Sequence, residues 1–279
     1  MLKTLLSLIK IEHTLFALPL AFTGAVLGAR GLPPIPVLLL MAVAFTAARA
    51  SAMAFNRIAD RHLDAQNPRT ANREIPSGAL SVSRVWLLII VSIAVFLIAS
   101  WAINPLCGKL APFALVVLLG YSYTKRFTAL CHHLLGLALG MAPVAGWIAV
   151  TGAFSLAPIV LGLGVIFWTA GFDTLYACQD VEFDRSMGLH SIPARLGTRT
   201  ALKVAALSHV AAFLLFILAG ALASLGVGFY LFSIITGALL IWEHRLITPD
   251  DLTRLDMAFF RVNSMVSASL LLAVIAGLV

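Results

Sequence analysis

The sequence predicts an all-α polytopic membrane protein, about nine transmembrane helices in one bundle with helical loops gathered over one face. Three observations carry this. Hydrophobic residues fill 61% of the 279 positions and charged residues only 11%, too few to coat a soluble domain of that size. Apolar runs of about 20 residues, the length that crosses a hydrocarbon core, recur from end to end. The basic residues fall almost entirely on alternate connections between those runs. A single integral-membrane domain over residues 1–279 is therefore expected.

Met1 to Lys10 is basic and amphipathic and lacks the small-residue cleavage site of a signal peptide, so it is expected to stay in the mature chain. Spans follow at 12–30, 34–57, 84–104, 109–124, 129–152, 157–179, 200–222, 225–243 and 256–278, with ends good to about four residues. Gly31-Leu32-Pro33-Pro34 closes the first, Asn104-Pro105 the third, and Thr248-Pro249 opens the loop before the last. With the N-terminus inside, 16 of the 19 Lys and Arg lie on the inner side, Arg30 and Lys109 outside, and Arg49 within the second span. All 12 acids lie on the inner side or at its edge. The N-terminus and the chemistry are thus expected at the cytoplasmic face, with the C-terminus outside. The net charge of +7 fits this topology signal and also a surface that attracts anionic lipid or a phosphorylated substrate. Cys107, Cys131 and Cys178 have no metal-ligand spacing and read as small apolar residues.

Two acidic stretches stand where an apolar run gives way to a charged loop. The first places Asn56, Asp60 and Asp64 four residues apart, and the second carries Asp173, Tyr176, Asp180 and Asp184. On a continuous helix, steps of four drift only about 40° and rise about 6 Å each, so each stretch would project a ladder of oxygen ligands. Magnesium is commonly held by one or two carboxylates and completes its shell with water and phosphate oxygens, so the spacing suits a metal-bridged diphosphate. A single ladder reads equally as a charged helix end pairing with its own arginines. Two of them, with Asp173 and Tyr176 further into the apolar run, are hard to explain as solvated surface, because buried ionisable groups in a membrane are costly. They hint at an internal duplication, although no general repeat accompanies them.

The ordered set Asn-x3-Asp-x3-Asp and Asp-x2-Tyr-x3-Asp-x3-Asp, with Tyr121-Ser122-Tyr123-Thr124-Lys125-Arg126 between them, resembles the UbiA family of intramembrane prenyltransferases along the whole chain. The segments Tyr176 to Asp184 and His190 to Arg195 are similar to the 4-hydroxybenzoate polyprenyltransferase branch, and more narrowly to a bacterial subgroup that includes 1,4-dihydroxy-6-naphthoate prenyltransferases of menaquinone synthesis. The resemblance implies a polyprenyl diphosphate donor, a small aromatic acid acceptor, Mg2+ as cofactor and membrane lipid as surroundings. No nucleic-acid partner is expected. The implied reaction transfers the polyprenyl group to a ring carbon of 4-hydroxybenzoate in quinone synthesis, or of the naphthoate. Transfer to haem, chlorophyllide or a phospholipid-type acceptor resembles the sequence less. From a different class, a cation-coupled transporter would also use intramembrane acids, but such sites lie near the bilayer midplane.

By position, the resemblance assigns Asn56, Asp60 and Asp64 to one metal and Asp180 and Asp184 to the other. Arg73, Lys125 and Arg126 would contact the diphosphate, with one arginine as an alternative holder of the acceptor carboxylate. Asp173 and Tyr176 would orient the acceptor or polarise its phenol. Catalysis would then centre on Asp60, Asp180, Asp173 and Tyr176, with Asn56 and Arg49, two turns before it, on the substrate side. Glu12 and His13 line the acceptor pocket or cap the first span. His132 and His133 are expected on a loop, His62 and His190 in the charged loops as structural or solvated groups, and Glu182 behind the ladder. Gly136, Gly140, Gly146, Gly162, Gly164 and Gly171 would allow close helix approach. A lateral opening to lipid would let the enzyme accept several prenyl chain lengths.

Overall fold

The computed structural model describes residues 2–9 and 11–279, with the backbone alone at 2, 3, 6 and 11–17. The side chains of Glu12 and His13 therefore lie outside the described residues. Eight described helices are long and apolar enough to cross a membrane, and α2 (Ile11–Ala29), described with side chains from Leu18, supplies the remaining expected span. After α1 (Leu2–Leu8) and α2, the chain runs through α3 (Ile35–Ala59), α4 (Arg61–Gln66), α5 (Val82–Ile103), α6 (Pro105–Thr124) and α7 (Cys131–Thr151). It continues with α8 (Leu156–Ala177), α9 (Val181–Ser186), α10 (Ile192–Leu196), α11 (Thr198–Leu222), α12 (Val227–Arg245) and α13 (Asn263–Leu278). A 3-10 turn (Cys178–Asp180) joins α8 to α9, and a π-helical turn (Met257–Val262) leads into α13.

Local chemistry sets these boundaries. The Asn104 side chain accepts from the Cys107 N–H at 2.9 Å and Pro105 occupies the first turn, so α6 starts four residues before the expected 109 and takes Lys109 into its second turn. Gly152, at φ 67°, ends α7 in the left-handed conformation that side chains resist. The same Asn104 donates to Ile148 O at 2.9 Å, pinning the α5–α6 turn to α7.

α8 is the central span, packed between α7 and α11, while α3 pairs with α5 and α6, and α2 with α7 and α13. The main core runs through Leu20, Val165, Trp168, Phe216 and Leu270, and a second cluster holds Ile58, Leu80, Val85 and Ile89 between α3 and α5. Several of the expected glycines work as close-packing points: a Cβ on Gly136 or Gly140 would strike α8, and one on Gly146 would strike the α2 backbone. Outward faces stay apolar, with Leu39, Ile98, Val116 and Leu207 each more than 60% exposed, as a lipid-facing surface requires. The chain is an integral membrane protein.

Candidate active site

Both acidic stretches lie at the same end of the bundle and line one cavity of ≈ 320 Å³. Neither is an unbroken ladder. Asp60 ends α3 and opens α4 with φ −95° and ψ 3°, and Asp180 separates the 3-10 turn from α9 with φ −107° and ψ 12°. The middle aspartate of each stretch thus sits in the sparsely allowed bridge region, common in active-site residues. Each break is followed by a six-residue helix, α4 or α9, which brings Asp64 and Asp184 back to the cavity wall. The expectation of continuous helices is corrected here: no glycine or proline marks either break, so the spacing alone reads straight through it.

Every carboxylate on this wall is engaged by a group from another segment. Asp60, 3% exposed, takes Lys125 Nζ at 2.7 Å, Arg126 Nη2 at 2.9 Å and Asn56 Nδ2 at 3.3 Å. Asp64 accepts from Arg73 Nη1 at 2.7 Å. Asp180 accepts from Arg69 through Nε at 3.0 Å and Nη2 at 2.5 Å, and from Asn67 Nδ2 at 2.9 Å. Asp184 accepts from Ser191 Oγ at 2.7 Å. The Arg69–Asp180 fork joins the two stretches directly. Burial alone would lower the Arg69 guanidinium, but its hydrogen bond and charge contact with Asp180 outweigh that and hold it above its ordinary value.

Sequence reasoning passed over Arg69 as one of several inner-side arginines. Its partner lies 111 residues away in the chain, and nothing local signals that contact. Arg126 differs in the other direction. It does not line the cavity but braces Asp60 from behind, donating also to Ala59 O and Ser122 O. His132 is corrected outright: it is buried in the first turn of α7, lines the cavity and meets Asp173 at 2.7 Å. Glu182 and His62 face away, exposed.

Asp173 and Tyr176, on the last turns of α8, line the same cavity with Phe259 and Phe260 of the π-helical turn. The Tyr176 ring lies 4.2 Å from that of Phe259 and takes the Arg69 guanidinium over its face at 5.5 Å. Arg49 and Tyr121 line this polar cavity and also a second, apolar one of ≈ 210 Å³ that runs between α2, α3, α6 and α7 past Met41, Phe45, Ala52 and Ala138. A polar chamber thus continues into an apolar one.

Among the described residues no three His, Cys, Asp or Glu side chains come together as a ready metal cluster. Magnesium does not need one, since it keeps water and substrate oxygens in its shell. Asp64 Oδ2, buried without a hydrogen-bond partner, is an oxygen suited to such an ion. The wall also carries five cationic side chains, Arg49, Arg57, Arg69, Arg73 and Lys125, against five carboxylates, so a polyanion entering it needs additional positive charge.

A family model described as the UbiA prenyltransferase family matches residues 17–265, most of the chain. The chain belongs to the UbiA prenyltransferase family. It is accordingly an enzyme of prenyl transfer, as its motifs suggest, and the transporter alternative falls. This UbiA chain is 31% identical over 257 residues to a protein of Yersinia pseudotuberculosis named 4-hydroxybenzoate octaprenyltransferase, covering 92% of this chain and 86% of that one. It superposes on the apo structure of a UbiA homolog from Aeropyrum pernix K1 with a TM-score of 0.84 at 35% identity, covering 93% and 96% of the two chains. A UbiA homolog from Archaeoglobus fulgidus, described as bound to GPP and Mg2+, shares the fold at a TM-score of 0.74 and 23% identity, covering 98% of this chain and 99% of that one.

Proposed function

We propose that this protein transfers a polyprenyl group from polyprenyl diphosphate to the ring carbon ortho to the hydroxyl of 4-hydroxybenzoate, releasing diphosphate, in a magnesium-dependent reaction at the cytoplasmic face of the membrane. One observation carries the reading: two carboxylate stretches 120 residues apart meet across a polar cavity that opens into an apolar one. The relatives' names, 4-hydroxybenzoate octaprenyltransferase, support the choice of acceptor.

Asn56, Asp60 and Asp64 on one side and Asp180 and Asp184 on the other would hold the metal ions, which neutralise charge on the departing diphosphate. Lys125, Arg69 and Arg73 already face the cavity and supply N–H donors to the same leaving group. Arg126 keeps Asp60 in place. As the C1–O bond breaks, the electron pair leaves with the diphosphate and positive charge develops on the allylic carbons. The faces of Tyr176 and Phe259 offer that charge an aromatic surface. The ring carbon then attacks C1 while Asp173 takes the phenolic proton, giving a dienone. Loss of the ring hydrogen to solvent and return of a proton to oxygen restore the aromatic ring. The prenyl tail lies in the apolar cavity beyond Arg49 and Tyr121.

The test is incubation of the purified protein with Mg2+, a labelled polyprenyl diphosphate and a panel holding 4-hydroxybenzoate and 1,4-dihydroxy-6-naphthoate. Product with 4-hydroxybenzoate, lost on chelation and restored by Mg2+, is expected. Product with the naphthoate alone would move the acceptor, and product with neither, from protein that still binds the donor, would overturn the reading.

A further inference from the structure

We propose that His132 is a positioning residue that holds Asp173 as the proton acceptor for the phenol; this rests on the prenyl transfer to a phenolic acceptor proposed above. His132 Nε2 lies 3.2 Å from the Ile192 main-chain N–H, which can only donate, so Nε2 carries no proton. The single ring proton is then on Nδ1, 2.7 Å from Asp173 Oδ2, and is donated to the carboxylate. The tautomer is set by the backbone. A neutral imidazole that donates to one carboxylate oxygen orients Asp173 and leaves Oδ1 outside that bond, on a side chain that lines the cavity and is 24% exposed against 3% for His132.

The segment that fixes the tautomer also reaches the other end of the site. His190 N–H donates to Lys125 O at 2.7 Å, and Ser191 Oγ to Asp184 Oδ2 at 2.7 Å. Residues 190–192 therefore tie together the backbone of a diphosphate-facing lysine, a carboxylate of the second stretch and the ring that orients the acceptor-side base. A histidine needed only to fill space at a helix start would have no requirement for the Nδ1–H tautomer.

Substitution separates these roles. His132→Leu removes the donor, His132→Asn places an amide N–H near the position of Nδ1, and His132→Gln places it nearer Nε2. With the acceptor that the wild-type protein uses, His132→Leu is expected to lower kcat by about 100-fold, within the range of general-base contributions and of lost orienting partners. KM for the prenyl diphosphate should stay within about twofold, because the His190–Lys125 and Ser191–Asp184 bonds at the donor end do not involve the ring. His132→Asn should regain about tenfold over His132→Leu, and His132→Gln should not. The deficit of His132→Leu should also shrink to below about tenfold on a ring-fluorinated analogue of the acceptor, whose more acidic phenol depends less on a base. An equal deficit on both acceptors, equal kcat for the Asn, Gln and Leu variants, or a loss confined to the KM of the diphosphate would overturn the proposal. If the Leu variant does not fold, the Asn against Gln comparison on the two acceptors decides it. A wild-type protein that prenylates no phenol would instead sink the underlying reading.

Discussion

Two regions of this bundle bury ionisable groups, and they are built to opposite rules. At the bundle end, Asp60, Asp64, Asp173, Asp180 and Asp184 line a cavity and are held by residues from other segments, several of which face the same cavity. Between α8, α11, α12 and α13, Glu243 is 1% exposed and its neighbours close on one another. Asn263 donates to Glu243 Oε1 at 3.0 Å, Trp168 Nε1 donates to Asn263 Oδ1 at 2.8 Å, and His244 Nε2 sits 2.9 Å from His209 Nδ1. An intramembrane acid invites a functional reading in both places. The distinction is that the first set lines a cavity that a ligand could enter, whereas Glu243, Asn263 and Trp168 are each no more than 1% exposed and line neither cavity.

The comparison breaks most sharply at the middle aspartates. Asp60→Ala and Asp180→Ala are expected to cut turnover by about 10²–10³-fold or more, the loss associated with removing one group that stabilises developing charge. Glu243→Gln should leave kcat within about twofold. Retained turnover in either aspartate variant, with the protein still inserted and monodisperse in detergent, would refute the metal-holding role. Next in size is Arg69→Ala, which removes the fork on Asp180 and leaves Asn67 as its remaining partner from the first stretch's loop. A loss of about 10–100-fold in kcat/KM is expected, as for other supporting groups around a metal site. Arg69→Lys should recover little of it, because a single ammonium cannot reproduce the Nε and Nη2 fork. Steady-state kinetics against the prenyl diphosphate measures both.

Spans and carboxylate stretches were legible because each rests on a local signal: about 20 apolar residues set a helix, and an acid within such a run stands out against its neighbours. The contacts that make the stretches one site are nonlocal. Arg69 is one of five basic residues between positions 57 and 84, and only the folded chain selects it to fork Asp180. His132 is expected on a loop because no third ligand stands near it at zinc spacing, yet α7 starts at Cys131 and buries that ring. The bends at Asp60 and Asp180 escaped for another reason. Their conformation is open to an aspartate without a proline or glycine, so the four-residue spacing suggested straight helices where the chain folds back.

The smallest predicted effect tests the closed cluster. Trp168→Phe keeps an aromatic ring in the core but removes the donor to Asn263 Oδ1, leaving that oxygen buried and unpaired at a cost of about 1–3 kcal/mol. Glu243→Gln keeps an acceptor for Asn263 and should change stability by no more than about 0.6 kcal/mol, the average for hydrogen bonds between membrane helices. Both are read as unfolding free energies in detergent, with turnover measured per folded molecule. The cluster does have a physical path to the site, because Asn263 also donates to Phe259 O at 3.1 Å and Phe259 stacks on Tyr176. Phe259 O is only one of Asn263's acceptors, and the α8–α13 packing around it remains. Turnover in Trp168→Phe is therefore expected within about twofold of wild type while stability falls. A tenfold loss of turnover without a loss of stability would erase the distinction between the two regions and make the π-helical turn part of the catalytic apparatus.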